Sequence, residues 1–217
     1  LSQRVETTIC HLAVWKLGAI SLPLSVLFGS EALRYRLLDS GARVVITSGE
    51  PVDVVRELML DLPKLEQVVD CDRDRGGFWS LVEKGSSVVQ VVRTRCDDPA
   101  LIIYTSGTTG PPKGAMLSHR NLVFMADALK EVVVVGDEAS SLSFLPLSHV
   151  AERLQGEVLA ITVGMTVNFA ENMDTILRDL GEVNATTLLC VPRLWEKIYA
   201  KIQSGLEEAS PLKRRIF

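Results

Sequence analysis

The sequence predicts an α/β fold with mostly parallel sheets and helices on both faces. Three observations carry that expectation. Short β-branched runs alternate with stripes of helical spacing across short connections. The predicted strands are continuous apolar runs, as in strands buried on both faces, which fits 47% hydrophobic against 23% charged residues in a 217-residue chain. A Gly-rich segment follows one predicted strand directly, at the carboxyl end where such sheets bind ligands.

Val5, Ile9, Leu12 and Ala13 fall at i, i+4, i+7 and i+8, the stripe of a helix packed on a core. Gly18 ends it, and Ala19 to Leu24 reads as a short buried strand. A helix from Glu31 to Asp39 closes at Ser40-Gly41. Arg43 to Thr47 is the next strand, Pro51 opens a helix running to about Leu60, and Gln67 to Asp70 is a further strand. Residues 71–98 form a charged connector with a weak helix at Trp79 to Lys84, so 1–98 is expected to be a first α/β sub-unit.

The second sub-unit, 99–217, opens with a strand at Ala100 to Tyr104. Leu122, Met125, Ala126 and Leu129 mark a helix with Ser118 as its cap. A strand at Ser141 to Leu145, a helix from Val150 to Ile161 and a strand at Met165 to Phe169 follow. Met173, Ile176, Leu177 and Leu180 give a helix, Thr186 to Cys190 a strand, and Trp195, Ile198, Tyr199 and Ile202 a last helix. The chain opens inside a helical pattern and closes just after one, as expected of a segment of a longer protein.

A net charge of -4 gives no pull toward nucleic acid. Cys10, Cys71, Cys96 and Cys190 show neither a CxxC pair nor metal-ligand spacing, so small buried apolar residues, reduced in a cytoplasmic protein, are expected. Lys16, Gly18 and Pro23 interrupt the apolar stretch from Leu12 to Phe28, a poor membrane span.

The Gly-rich segment is Tyr104-Thr105-Ser106-Gly107-Thr108-Thr109-Gly110-Pro111-Pro112-Lys113-Gly114. Glycines let backbone N–H groups approach an anion, four hydroxyls can donate to phosphate oxygens, and Lys113 adds a charge-assisted contact. Pro111 and Pro112 stiffen the exit. Gly114 after Lys113 rules out the Walker A pattern. Composition alone fits a flexible surface turn as well as a phosphate loop.

The eleven-residue word, continuing through Ala115 to Asn121, resembles the phosphate-loop motif of the AMP-binding, adenylate-forming superfamily. Phe144-Leu145-Pro146-Leu147-Ser148-His149-Val150-Ala151-Glu152-Arg153 and Val191-Pro192-Arg193-Leu194-Trp195-Glu196-Lys197-Ile198 resemble its long-chain fatty acyl-CoA synthetase branch. Trp15 to Leu24 is similar to the first conserved block, so the resemblance covers nearly the whole chain. It implies part of an acyl-CoA synthetase-like N-terminal domain. The implied reaction joins a fatty acid to ATP as an acyl-adenylate with loss of pyrophosphate, and coenzyme A then displaces AMP.

The same resemblance implies that Thr105, Ser106, Gly107, Thr108, Thr109, Gly110 and Lys113 hold the ATP phosphates, with Mg²⁺ bridging them and Thr105 joining its shell. It implies that His149 lies beside the carboxylate and the α-phosphate and orients the nucleophile. Trp195 has two readings: core packing by its spacing, and an acyl-tunnel aromatic by resemblance. Glu152 and Arg153 either pair on a solvated face or serve the site. His11 reads as part of a helix and His119 as an exposed residue. The family's Tyr-Gly-x-Thr-Glu and Thr-Gly-Asp segments are absent from the 217 residues, which implies no turnover by this chain alone. An adenylation domain loading a carrier protein and a non-catalytic nucleotide-binding remnant are the alternatives. Peripheral membrane contact is compatible with a fatty-acid substrate.

Overall fold

The structure, a computed structural model, describes residues 1–105, 110–133, 135–136 and 138–207. The first parallel pair joins β1 (Val44–Thr47) to β2 (Gln67–Asp70), in register from Val44 opposite Gln67 to Thr47 opposite Asp70. The crossover is α3 (Pro51–Leu58) and a 3-10 turn, Met59–Asp61. Proline suits the first helical turn, where its missing N–H has no intrahelical partner to lose. Val45 and Val68 face Leu33 and Leu37 of α2 (Ser30–Ser40) and Val55 of α3. Ile46 and Val69 face Cys10 of α1 (Val5–Lys16) and Phe78 of α4 (Phe78–Lys84). Period-two alternation therefore buries both faces under helices. Gly41 ends α2 in the left-handed region, φ 64°, where glycine carries no Cβ penalty.

The second parallel pair joins β5 (Ser140–Ser143) to β6 (Thr166–Phe169). Its crossover is the single helix expected over Val150 to Ile161, with an interruption: α6 (Val150–Arg153), a π-helical stretch (Leu154–Leu159) and α7 (Ala160–Val163). Leu142 packs on Ile176 and Leu180 of α8 (Ile176–Val183), and the opposite face of β5 carries Ser141 and Ser143. The last helix is α9 (Pro192–Glu207).

The third pair departs from the expectation. β3 (Pro99–Thr105) runs antiparallel to β4 (Lys113–Ser118), a strand the sequence does not signal. Lys113, Gly114, Ala115 and Met116 are all exposed, so no apolar alternation marks them, and only the ladder to β3 defines the strand. Ala100 and Leu101 of β3 are fully buried against Leu122 and Ala126 of α5 (His119–Val132) and against Leu154 and Val158. Ser118 caps α5: its hydroxyl accepts the Asn121 backbone N–H at 3.3 Å while the Asn121 side-chain oxygen accepts the Ser118 N–H at 2.9 Å, a reciprocal capping box.

The strands expected at Ala19 to Leu24 and Thr186 to Cys190 reduce to single parallel bridges, Ser21 to Leu101 and Ser141 to Thr187. Pro23 has no N–H to extend the first ladder. In the second, the Thr186 hydroxyl takes the Ser140 N–H at 2.8 Å, so a side chain occupies a ladder donor. Among the described residues no helix is long and apolar enough to cross a membrane.

Candidate functional site: a hairpin mouth and a histidine turn

The Gly-rich segment connects β3 to β4, so it is a hairpin loop. Thr105 and Lys113 are directly opposed where the ladder ends, and opposed residues of an antiparallel pair share one face. A hydroxyl and an ammonium therefore flank the mouth on the same side, both exposed. Ser106, Gly107, Thr108 and Thr109 lie outside the described residues. Gly110 takes φ 97°, a conformation open to glycine. Gly114 answers a different need: a Cβ there would stand 2.9 Å from Ile102 Cγ2 and 3.3 Å from Tyr104 Cζ, so the missing side chain makes room for the two β3 side chains.

Both stems of the loop are gripped by α2. Tyr35 donates its hydroxyl hydrogen to the Pro112 carbonyl at 3.0 Å, and Tyr104 donates to Asp39 Oδ2 at 2.5 Å. The Arg36 guanidinium lies 4.2 Å from the Phe28 ring centroid and 5.5 Å from that of Tyr104. Burial, and then the Asp39 carboxylate, push the Tyr104 hydroxyl pKa upward, so it stays a donor. Sequence reasoning missed Tyr35 and Asp39, which stand 77 and 65 residues from their partners and carry no local signal.

His149 is exposed and occupies the N-cap position of α6 without a side-chain cap bond. Backbone contacts shape its turn: His149 N–H donates to the Pro146 carbonyl at 2.8 Å and Arg153 N–H to the His149 carbonyl at 3.2 Å. Gln3 donates from its side-chain amide to the Leu145 carbonyl.

The solvated Glu152–Arg153 pair is corrected by the structure. Both are buried, and Arg153 pairs with Glu157 instead, Nη1 to Oε2 at 2.7 Å, with neither side chain exposed. Glu157 Oε1 lies 2.7 Å from His11 Nδ1, and the Arg153 guanidinium also touches that ring. His11 is thus an element of a buried ionic cluster, beyond its helical reading. Burial lowers its pKa against the opposing Glu157 hydrogen bond. The neutral ring with its proton on Nδ1 donates to Glu157. His119 is half-buried, edge-on to Trp15 at 6.4 Å.

Glu152 stands apart from this cluster. Its Oε1 would lie 2.9 Å from a Cβ built on Gly156. Burial pushes the carboxyl up to about 7, with the Ser143 hydroxyl partly opposing. An unfolded glutamate ionises near 4.3. Between these values the folded state holds a proton that the unfolded state releases, so this group removes stability as pH rises through that window. Glu152→Gln is expected to stabilise the protein by about 3–4 kcal/mol at pH 8 and by almost nothing at pH 4. Urea unfolding across that range measures it, and a mutant-minus-parent difference independent of pH would contradict it.

Trp195 lies on α9 and is 50% exposed, with Tyr199 and Ile202 exposed beside it. Its core-packing reading fails, because Leu194 is the residue that packs on the Leu142 cluster. No hydrogen bond or ring contact among the described residues joins Trp195 to His149. The expectation of buried thiols holds for Cys10 and Cys71, while Cys96 is exposed and Cys190 half-buried. Burial pushes the Cys10 and Cys71 thiols up to about 12 and about 11, which suppresses the nucleophilic thiolate. The described residues include no group of three or more His, Cys, Asp or Glu able to hold a metal.

Fold and site together define an α/β chain whose Gly-rich segment joins an antiparallel pair and whose His149 stands at a helix start. The chain belongs to the AMP-binding enzyme family, whose family model matches residues 1–215. It is 35% identical to mouse long-chain-fatty-acid–CoA ligase ACSBG2, over 98% of this chain and 35% of the relative. It is 31% identical to the Mycobacterium tuberculosis ligase FadD15, over 99% of this chain and 37% of the relative. The chain thus spans about a third of the length of these curated relatives. Apo MatB from Rhodopseudomonas palustris superposes with a TM-score of 0.80 at 25% identity, over 97% of this chain and 40% of MatB. A long-chain-fatty-acid-CoA ligase (FadD1) from Archaeoglobus fulgidus superposes at 0.85 and 24% identity, over 94% of this chain and 41% of that one, a likeness of fold.

Proposed function

We propose that the whole protein activates a long-chain fatty acid with ATP to an acyl-adenylate and passes the acyl group to coenzyme A. The observation that carries this reading is the hairpin mouth, where Thr105 and Lys113 share a face at the carboxyl end of β3. The fatty-acid ligase names of the relatives support the substrate class.

The mouth and the loop from Thr105 to Gly110 receive the ATP phosphates, and Lys113 neutralises part of their charge. Catalysis of this kind is mainly positioning and electrostatics. His149 orients the attacking carboxylate by donating an imidazole N–H. Trp195, exposed on α9, is available to an acyl chain. Mg²⁺ would neutralise phosphate charge when bound. The described residues offer it the Thr105 hydroxyl and no cluster of three or more carboxylate, His or Cys ligands, a set that fits an ion held chiefly by phosphate oxygens and water. Residues 1–98 and 99–217 are two sub-units of one N-terminal domain, joined where His11 meets Glu157 and where Trp15 donates to the Ala100 carbonyl at 3.0 Å. The 217-residue chain alone binds at best the triphosphate tail, weakly, and does not turn over. Residence in the cytoplasm, with peripheral membrane contact to collect substrate, completes the reading.

The test is fatty-acid-dependent pyrophosphate release and acyl-CoA formation by the whole protein. Absence of both with every medium- and long-chain acid would sink the proposal.

A further inference from the structure

We infer that Arg153 is a positioning residue for His149, acting through the Leu147 carbonyl. The inference rests on the role proposed above for His149.

The His149 side chain is exposed and makes no cap bond, so its direction follows from the backbone of the turn before it. Leu147 anchors that turn, 5% exposed, and its carbonyl accepts a hydrogen bond from Arg153 Nη2 at 2.6 Å. The other arm of the same guanidinium, Nη1, donates to Glu157 Oε2 at 2.7 Å. Glu157 is in turn tied to His11 of α1. One rigid planar fork therefore clamps the carbonyl two residues before His149 to the crossover helix and to α1.

The energetics favour this reading over simple filling of space. Arg153 is fully buried, and a buried ion pair seldom stabilises a fold more than apolar residues of the same volume. An apolar residue cannot donate to the Leu147 carbonyl. Lysine keeps the charge but offers a point donor instead of two fixed arms. The π-helical stretch begins at Leu154, immediately after Arg153, and such wide turns recur at functional sites.

The experiment is a double-mutant cycle in the whole protein with Arg153→Lys and His149→Ala. It reads pyrophosphate release, and also the Kd of a non-hydrolysable acyl-adenylate analogue, so a variant without turnover still reports. Thermal midpoints are followed in parallel. Arg153→Lys is expected to lower kcat by about 10- to 100-fold, the scale of an ångström-level misplacement, with the KM for ATP changed less than about two-fold. In the His149→Ala background the same substitution is expected to change rate and Kd by less than about two-fold.

Equal losses in both backgrounds, tracking the thermal midpoint, would mean a structural role and overturn the inference while leaving the His149 reading intact. Parent-level kcat in Arg153→Lys overturns it too. Parent-level activity in His149→Ala removes the role of His149 and this inference with it. If Arg153→Lys lowers the midpoint by more than about 10 °C, the charge-free pair Arg153→Gln with Glu157→Gln takes its place in the cycle. The same coupling to His149 is then expected, and its absence overturns the inference.

Discussion

Glu157→Leu is expected to destabilise the protein by about 3–5 kcal/mol, the scale of breaking a buried ion pair by removing one partner. The Arg153 and Glu157 side chains have no exposure at all. With the carboxylate gone, the buried guanidinium keeps its bond to the Leu147 carbonyl but loses the counter-charge it is paired with. His11 loses its 2.7 Å acceptor at the same time. Urea unfolding of the parent and variant measures the loss, and a change below about 1 kcal/mol would show that the cluster is not a unit. Replacing Arg153 by methionine together with Glu157→Leu is expected to recover most of that stability, because apolar residues of similar volume match a buried pair. Activity should not return with it, since the Leu147 carbonyl would still lack its donor.

The second large effect is on nucleotide binding. Lys113→Met is expected to raise the KM for ATP of the whole protein by about 10- to 100-fold, from the 1.5–3 kcal/mol of a hydrogen bond to a charged group. Lys113 is exposed at the start of β4, so the thermal midpoint should not move. Parent-like ATP affinity in this variant would remove Lys113 from the phosphate site.

Much of the fold is legible in local chemistry. Pro51, Gly41 and Ser118 mark helix ends by rules that need only a few residues of context, and the structure places an end at each. Gln67 to Asp70 is a strand within the bounds its apolar run predicts. The β4 strand was not legible, because four of its six residues face solvent and one is glycine. The reading of Trp195 as a core residue failed because periodicity reports a stripe and not what covers it.

What the sequence by itself determined is the α/β order of elements, the Gly-rich word from Tyr104 to Gly114 and the Leu-Pro-Leu-Ser-His word that ends at His149. These depend on neighbours in the chain. Only the tertiary structure decided that the loop closes a hairpin, that α2 grips both its stems, and that Arg153 is a buried clamp and not a surface charge. The partners concerned are 142 and 146 residues apart for His11 with Arg153 and Glu157, and 77 apart for Tyr35 with Pro112. Burial and ion pairing at such separations follow from which surfaces meet when the chain folds, and no local pattern encodes that.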